Sequence, residues 1–458
     1  MQTTDIVSAA GLPRKDGSRF GSLPLADVDA RDFVRKVGAT LATRIVARLA
    51  LGVTAVVVSR QLGPDGQGYW AMALAVSQLG GQLGHLGLPE ANTYKVSKER
   101  GVLNQLLGNS LLVALGVAGT AALGSAVVFG LRPEWAPVHG VLLALCLINV
   151  PLSAAAKLTR SLALGLREIT AVNMADAFQG IVLPLVVCLV FSVGEASPTV
   201  RMAATLAAST TCSLFFCRIL THKHRGAPRI CVRLLKSSLS YGARWFATSL
   251  LCTLADKGIF FLLMTVGGAR ESGFLSLALG LSAALDVLPL AVAQTTMPYV
   301  TSMSVVRRWW LTKWLSIATG TFLTVIAIAS LFAIRRLVNA LQGPAFLPAA
   351  PACVVLAFGM AAEGFARPFY TFVASLDRHG RCIPIWIVAN AITLALGIVW
   401  VPARGAVGAA AALTAGQVVA LLMQLLLAIR LLYESKRVVE NHASVSTGAA
   451  IVAGEAAI

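Results

Sequence analysis

The chain has 458 residues, of which 57% are hydrophobic and only 13% are charged, and its mean hydropathy is +0.77. Soluble domains carry about a quarter charged residues, so this composition excludes a large soluble domain and indicates an integral membrane protein. The formal net charge of +18 comes from short basic clusters between apolar runs, a pattern that favours membrane topology over nucleic-acid binding.

The apolar runs are about 20 residues long or longer, which is the length an α-helix needs to cross the hydrocarbon core. They predict an all-α integral membrane fold with about twelve transmembrane helices. The predicted spans lie near residues 39–59, 69–92, 102–130, 138–158, 170–193, 198–219, 239–266, 272–300, 312–333, 347–375, 384–402 and 406–430.

These spans divide the chain into a polar tail, an N-lobe of six helices, a basic connector, a C-lobe of six helices and a second tail that we expect to be disordered. The five parts are residues 1–36, 37–219, 220–238, 239–432 and 433–458. Most of the 38 lysines and arginines fall in the tails, the connector and the loops on the same side. The positive-inside rule therefore predicts that both termini are cytoplasmic.

A weak internal repeat relates the two predicted lobes. Gly63 and Gly68 frame a G-x-x-x-x-G-aromatic segment, and Gly268 and Gly273 frame a second copy six spans later, with Ala-Leu following at the same offset. Transporters commonly arise from such duplications, and their substrate sites lie between the repeats. The first copy lacks the lysine and hydroxyl residue that a nucleotide-binding P-loop requires, so it does not predict ATP binding.

Several short segments occur in a characteristic order along the chain: residues 60–69, 86–89, 255–257, 273–274, 288–289, 297–298, 374–381, 390 and 405–410. In this order they resemble the Wzx-type polysaccharide flippases of the multidrug/oligosaccharidyl-lipid/polysaccharide (MOP) exporter superfamily. The resemblance covers about residues 37 to 432, and it implies a V-shaped pair of six-helix bundles that work by alternating access in a bacterial inner membrane.

Charged side chains inside the predicted spans are the candidate functional residues, because an unpaired charge in hydrocarbon costs several kcal/mol. We expect a set of cavity cations to bind the substrate and a set of carboxylates to couple ions or protons. The cations are Arg44, Arg48, Arg244, Lys257 and Arg367, and the carboxylates are Asp256, Asp286 and Glu363.

Several of these residues also have a structural interpretation. Arg44 is close enough to the cytoplasmic interface to extend its side chain into water. Arg48 lies on the same helix face near the midplane, where it either faces a hydrated cavity or pairs with Asp176. Glu363 and Arg367 are four residues apart, so they can neutralise each other on one helix.

Adjacent residues on a helix point about 100° apart, so Asp256 and Lys257 cannot pair face to face and at least one needs another partner. Asp286 is the best isolated carboxylate within a span. It forms an interhelical hydrogen bond in the structural interpretation and binds a proton or ion in the functional one.

The cationic spans suit an anionic diphosphate, which arginine binds bidentately. The predicted function is flipping of an undecaprenyl-diphosphate-linked oligosaccharide for exopolysaccharide, capsule or O-antigen synthesis, with a polymerase and glycosyltransferases of the same pathway as possible partners. The alternatives are a cation-coupled drug exporter of the MATE type and a membrane glycan polymerase or ligase. We predict no enzymatic activity, no nucleic-acid partner and no cofactor, and the eight cysteines have no metal-site spacing.

Overall fold

The protein is described by a computed structural model that covers residues 30–166, 168–182, 185–189, 197–223, 227–376 and 378–455. These residues form an almost entirely helical structure. The main helices are α1 (Ala30–His85), α2 (Leu88–Lys98), α3 (Leu103–Leu112), α4 (Ala118–Leu131), α5 (Gly140–Gly165), α6 (Ile169–Ala177), α7 (Pro198–Lys223), α8 (Val232–Leu285), α9 (Val287–Ser302), α10 (Val305–Gln342), α11 (Ala350–Ser375) and α12 (Ile383–Glu455).

Eight segments of the described chain are long and apolar enough to cross a membrane. Two π-helical turns lengthen these segments. Val113–Val117 joins α3 to α4, and Phe178–Val182 extends α6. Breaks within long helices divide the chain further. Because the described residues are almost entirely helical and include these membrane-length segments, the predicted all-α membrane fold is confirmed.

Three of the long helices contain a residue with a positive φ angle, and each of these residues is a glycine. Gly63 in α1 has φ 65° and ψ 178°, Gly268 in α8 has φ 76° and ψ −172°, and Gly405 in α12 has φ 54°. Glycine adopts these angles because it has no Cβ. The sequence prediction placed loops of several residues at these positions, but each break is centred on one glycine.

The most extensive contact between helices joins α1 to α8, and α8 also packs against α11 and α12. Helices from both predicted lobes therefore share one core. Met72 of α1, Leu275 of α8 and Leu356 of α11 are almost fully buried in it. Phe274 and Phe346 meet there edge to face, with ring centroids 6.3 Å apart.

The ends of the described chain differ from the sequence prediction. Helix α1 begins at Ala30, within the predicted polar tail 1–36, whereas residues 1–29 lie outside the described part. Helix α12 continues to Glu455, through most of the tail over 433–458 that was expected to be disordered. That tail contains many alanines, which have the highest helix propensity.

Candidate functional site

The two copies of the sequence repeat pack against each other at one end of the helical bundle, which we call the repeat end (residues 63–68 and 268–273). A Cβ atom added to Gly68 would overlap the carbonyl group of Ala269. A Cβ atom added to Gly273 would likewise overlap the carbonyl group of Pro64. Gly68 thus lies against Ala269, which follows Gly268, and Gly273 lies against Pro64, which follows Gly63. The two contacts are reciprocal.

Polar contacts reinforce the repeat end. The Gln67 amide nitrogen donates a hydrogen bond of 3.0 Å to the Ser276 hydroxyl, which joins α1 to α8. The Ser59 hydroxyl donates to the Gln342 side-chain oxygen at the end of α10. Arg60 donates to backbone carbonyl groups at the same end of α10. These bonds tie the first half of the chain to the second where the repeats meet.

A cavity of about 600 Å³ opens next to the repeat end, and we call it the repeat-end chamber. Helices α1, α7 and α8 contribute most of its polar wall, so it lies between the two predicted lobes. The side chains that give it polar character are Ser59, Gln67, Trp70, Gln78, Arg201, Lys257, Ser276 and Gln342.

Arg201 is the cation at the repeat end of this chamber. Its Nη1 atom donates to the Gln67 side-chain oxygen at 2.6 Å, and its guanidinium carbon lies 3.5 Å from the centroid of the Trp70 ring. No carboxylate of a described residue lies within ion-pairing distance of Arg201. The Trp70 Nε1 atom is buried and has no hydrogen-bond partner among the described residues.

A second cavity of about 420 Å³ lies among α8, α11 and α12, and we call it the carboxylate chamber. The Arg367 Nη2 atom is 2.9 Å from both an Asp286 oxygen and a Glu363 oxygen. The Arg367 Nε atom also donates to Glu363 at 3.1 Å. Lys257 lines both cavities, so it stands between the carboxylate chamber and the repeat-end chamber.

The carboxylate chamber contains a cation held between two acids on different helices. Arg367 and Glu363 belong to α11, whereas Asp286 lies between α8 and α9. Protonation of either acid leaves Arg367 paired with the other, because the guanidinium group has donors for both. The arrangement can therefore take up a proton without leaving Arg367 unpaired.

The structure brings together four of the eight residues that the sequence analysis singled out. Lys257, Asp286, Glu363 and Arg367 line one chamber. Arg367 reaches Asp286 from another helix, a contact that no local spacing reveals. The remaining four have side chains outside the described part of the structure: Arg44, Arg48, Arg244 and Asp256.

Asp176 was considered as a partner of Arg48, but it pairs with Arg160. The two Arg160 terminal nitrogens contact the two Asp176 carboxylate oxygens, with the Nη2–Oδ2 distance at 3.0 Å. The sequence analysis assigned Arg160 to a cytoplasmic loop. In the structure it lies in the last turns of α5, from which it reaches the carboxylate on α6.

Arg201, Gln67 and Trp70 were missed as candidate site residues. Arg201 falls within the predicted span 198–219 and is the fourth residue of α7. Gln67 belongs to the repeat, and Trp70 follows it. The signal that could have found Arg201 is its position inside that predicted span, where a charge is costly.

The opposite end of the bundle, which we call the connector end, has its own close contact between lobes. A Cβ atom added to Gly87 would lie 2.5 Å from the Gly242 carbonyl oxygen, and one added to Gly242 would overlap the Gly87 carbonyl. Beside them, the Tyr94 and Tyr241 rings stack with centroids 4.8 Å apart. A hydrogen bond with Tyr94 raises the pKa of the exposed Lys98 amine.

Hydrogen bonds at the connector end join the same two segments. The Gln82 amide donates to the Ser249 hydroxyl at 2.6 Å, and the Lys95 amine donates to the Ser237 hydroxyl at 2.8 Å. The Asn109 side chain both accepts from and donates to the backbone of Cys231, at 2.9 and 3.0 Å. The last part of the basic connector is therefore docked on the first half of the chain.

The family assignment agrees with this interlobe architecture. The family model for polysaccharide biosynthesis proteins matches residues 33–304, which is more than half of the chain. The chain belongs to the polysaccharide biosynthesis protein family. This stretch contains both copies of the repeat and Arg201, Lys257 and Asp286, whereas Glu363 and Arg367 lie beyond it. A comparison with curated proteins gives no match.

Solved structures show which fold this family member adopts. An inward-facing MATE family multidrug resistance transporter of the MOP superfamily aligns with a TM-score of 0.70 at 13% identity, over 87% of this chain and 99% of the other. The lipid II flippase MurJ in its inward closed conformation aligns with a TM-score of 0.63 at 14% identity, over 86% and 87%. The protein is therefore a multi-pass membrane protein with the MOP transporter fold.

Proposed function

We propose that this protein flips an undecaprenyl-diphosphate-linked oligosaccharide across the bacterial inner membrane by alternating access, for exopolysaccharide, capsule or O-antigen synthesis. The observation that carries the proposal is a pair of chambers with charged side chains in their walls, one between the lobes and one within the C-lobe, with Lys257 in the wall of both. A glycan cannot enter hydrocarbon without losing its hydrogen bonds to water, so it needs a polar path of this kind. The isoprenoid chain can stay in the lipid.

The charges in the chambers favour an anionic substrate over a cationic drug. The described ionisable side chains that line them are three cations and two carboxylates: Arg201, Lys257, Arg367, Asp286 and Glu363. Both carboxylates contact Arg367, so neither is an isolated anion that would attract a cationic drug. Arginine and lysine are the residues that bind the oxygens of a diphosphate.

The carboxylates support a second part of the proposal, which is coupling to protons or ions. We assign this role to Asp286 and Glu363, and also to Asp256, whose side chain lies outside the described part. Substrate binding would use the remaining cations of the predicted set, Arg44, Arg48 and Arg244, together with Lys257 and Arg367. The proposal makes the protein a transporter and not an enzyme. Its partners would be a polymerase and glycosyltransferases of the same pathway.

The test is a flipping assay with the purified full-length protein in liposomes. The probe is a fluorescent undecaprenyl-diphosphate oligosaccharide, and a membrane-impermeant reagent that destroys the fluorophore reports which leaflet it occupies. With wild-type protein, we expect the probe from both leaflets to become accessible to the reagent. With Lys257→Ala, we expect the probe of the inner leaflet to become accessible much more slowly. Transport of ethidium with no movement of the lipid-linked glycan would instead identify a drug exporter and contradict the proposal.

A further inference from the structure

Arg201 lies in the repeat-end chamber, away from the Asp286–Arg367–Glu363 group, with no carboxylate of a described residue to neutralise it. A cation inside a membrane segment costs several kcal/mol unless it is paired or hydrated. The Lys257 amine lines the same chamber and adds a second positive charge. The described wall of this chamber contains no acid, so an anionic molecule that enters it can pair with Arg201.

The contacts of Arg201 leave N–H groups of its guanidinium group available to a ligand. One Nη1–H group is used by Gln67, and the flat face of the guanidinium group rests on the Trp70 ring. These two contacts hold the group in one orientation, while no other hydrogen bond joins it to the described residues. Guanidinium edges fixed in this way bind oxyanions bidentately, since the two N–H groups match two oxygens.

The surroundings of Arg201 match a sugar as well as a charge. The Trp70 side chain lines the chamber, and its indole N–H is buried without a partner among the described residues. The Gln78 and Ser276 side chains supply further donors and acceptors in the same wall. An aromatic side chain with amide and hydroxyl groups next to it can contact a sugar ring and bond to its hydroxyls.

We propose that the repeat-end chamber is a second substrate subsite, in which Arg201 binds an oxyanion of the lipid-linked glycan after it has passed Lys257. The oxyanion belongs either to the diphosphate or to the carboxylate of an acidic sugar. This inference rests on the proposed function, because it assigns a second binding position to the substrate on the same transport path. Lys257 is shared by both chambers, so an anion can move from one to the other without leaving a cation.

The experiment measures binding of two probes to the full-length protein in nanodiscs. Both probes are undecaprenyl-diphosphate disaccharides, one of them neutral and the other containing glucuronic acid. We expect Arg201→Gln to weaken binding by about tenfold or more, the effect of losing one charge-assisted pair. Equal weakening for both probes assigns Arg201 to the diphosphate, whereas weakening for the acidic probe alone assigns it to the sugar carboxylate.

Gln67→Glu separates a binding role from a structural one. It places a carboxylate where Gln67 now accepts the 2.6 Å hydrogen bond, so Arg201 gains a counter-ion within the protein. We expect this variant to have an unchanged or higher thermal midpoint and yet to bind the probes as weakly as Arg201→Gln. Normal binding by Gln67→Glu would overturn the proposal.

The matched control is Arg132→Gln. Arg132 also lies near a tryptophan, 6.0 Å from the Trp135 ring, but its side chain is 66% exposed and pairs with Glu134. We expect this variant to bind both probes as the wild type does. Unchanged binding by both Arg201→Gln and Gln67→Glu would overturn the second subsite while leaving flipping intact. Failure of the wild-type protein to bind either probe would instead contradict the proposed function.

Discussion

Gly68 and Gly273 hold matching positions in the two copies of the repeat, and each lies against the backbone of the other copy. A Cβ atom on Gly273 would be 3.2 Å from the Gly68 backbone nitrogen as well as overlapping Pro64. The lobes are thus in direct backbone contact at the repeat end, with no interlocked side chains between these glycines. For a glycan to leave at this end, the two copies must separate.

Replacing either glycine should weaken this contact. Gly68→Ala or Gly273→Ala adds a methyl group that overlaps a carbonyl, and such overpacking costs about 1–3 kcal/mol. We expect a shift toward a state that is open at the repeat end. The measurement is disulfide cross-linking between cysteines placed at Ser59 and Gln342, which hydrogen-bond there, in a variant without the native cysteines.

The control for this prediction is Gly124→Ala. No atom lies within 4 Å of a Cβ built on Gly124, so the added methyl group meets open space. We expect its cross-linking yield to equal that of the parent variant. If Gly68→Ala and Gly124→Ala gave the same yield, the glycine contact would have no effect on opening.

Lys257 should be required for flipping because it lines both chambers. We expect Lys257→Ala to abolish glycan export while the protein still inserts into the membrane. We expect the same of Arg48→Ala, which removes the predicted cavity cation of span 39–59. The measurement is surface polysaccharide in cells, with membrane levels of protein determined by immunoblot. Lys313→Ala is a suitable control, since Lys313 is exposed on α10. Normal polysaccharide in both test variants would rule out the cationic cavity.

The group Asp286–Arg367–Glu363 should respond unequally to substitution. Arg367→Ala leaves two neighbouring acids without their cation. Because these side chains are only partly exposed, the loss should cost more than that of a solvent-exposed pair, which is about 0–1 kcal/mol. Glu363→Gln keeps Arg367 paired with Asp286, so it should destabilise the protein much less. Thermal unfolding in detergent, followed by tryptophan fluorescence, measures both effects.

An exposed pair provides the comparison for that series. Arg430 and Glu434 are also four residues apart, but the Arg430 side chain is 75% exposed. Solvent-exposed pairs contribute about 0–1 kcal/mol, so Arg430→Ala should leave the unfolding midpoint almost unchanged. Equal destabilisation by Arg430→Ala and Arg367→Ala would show that the chamber pair is not protected from water.

The predicted topology can be tested with reporter fusions. Both termini are expected in the cytoplasm, so green fluorescent protein fused after residue 458 should fluoresce, because it folds there and not in the periplasm. Alkaline phosphatase inserted near Arg132, between α4 and α5, should be active, because it requires the periplasm. The reverse result at both positions would contradict the predicted cytoplasmic location of the termini.

Much of the fold follows from local sequence. Apolar runs of about 20 residues must be helical in a bilayer, because only a helix or a closed barrel satisfies every backbone group without water. The repeat motifs also identified glycines that later proved to adopt the same backbone angles, at Gly63 and Gly268. The pairing of Glu363 with Arg367 was visible as well, since residues four apart share one helix face.

The remaining site residues depended on how helices far apart in sequence come together. Asp286 contacts Arg367 across 81 positions of sequence, a distance that no periodicity encodes. Arg201 lies within the predicted span 198–219, but its contact with Trp70 depends on the packing of α7 beside α1. The sequence by itself determined which segments cross the membrane, because burial in lipid depends on each segment's own composition. Only the tertiary structure decided which charges share a chamber, because that depends on packing between segments.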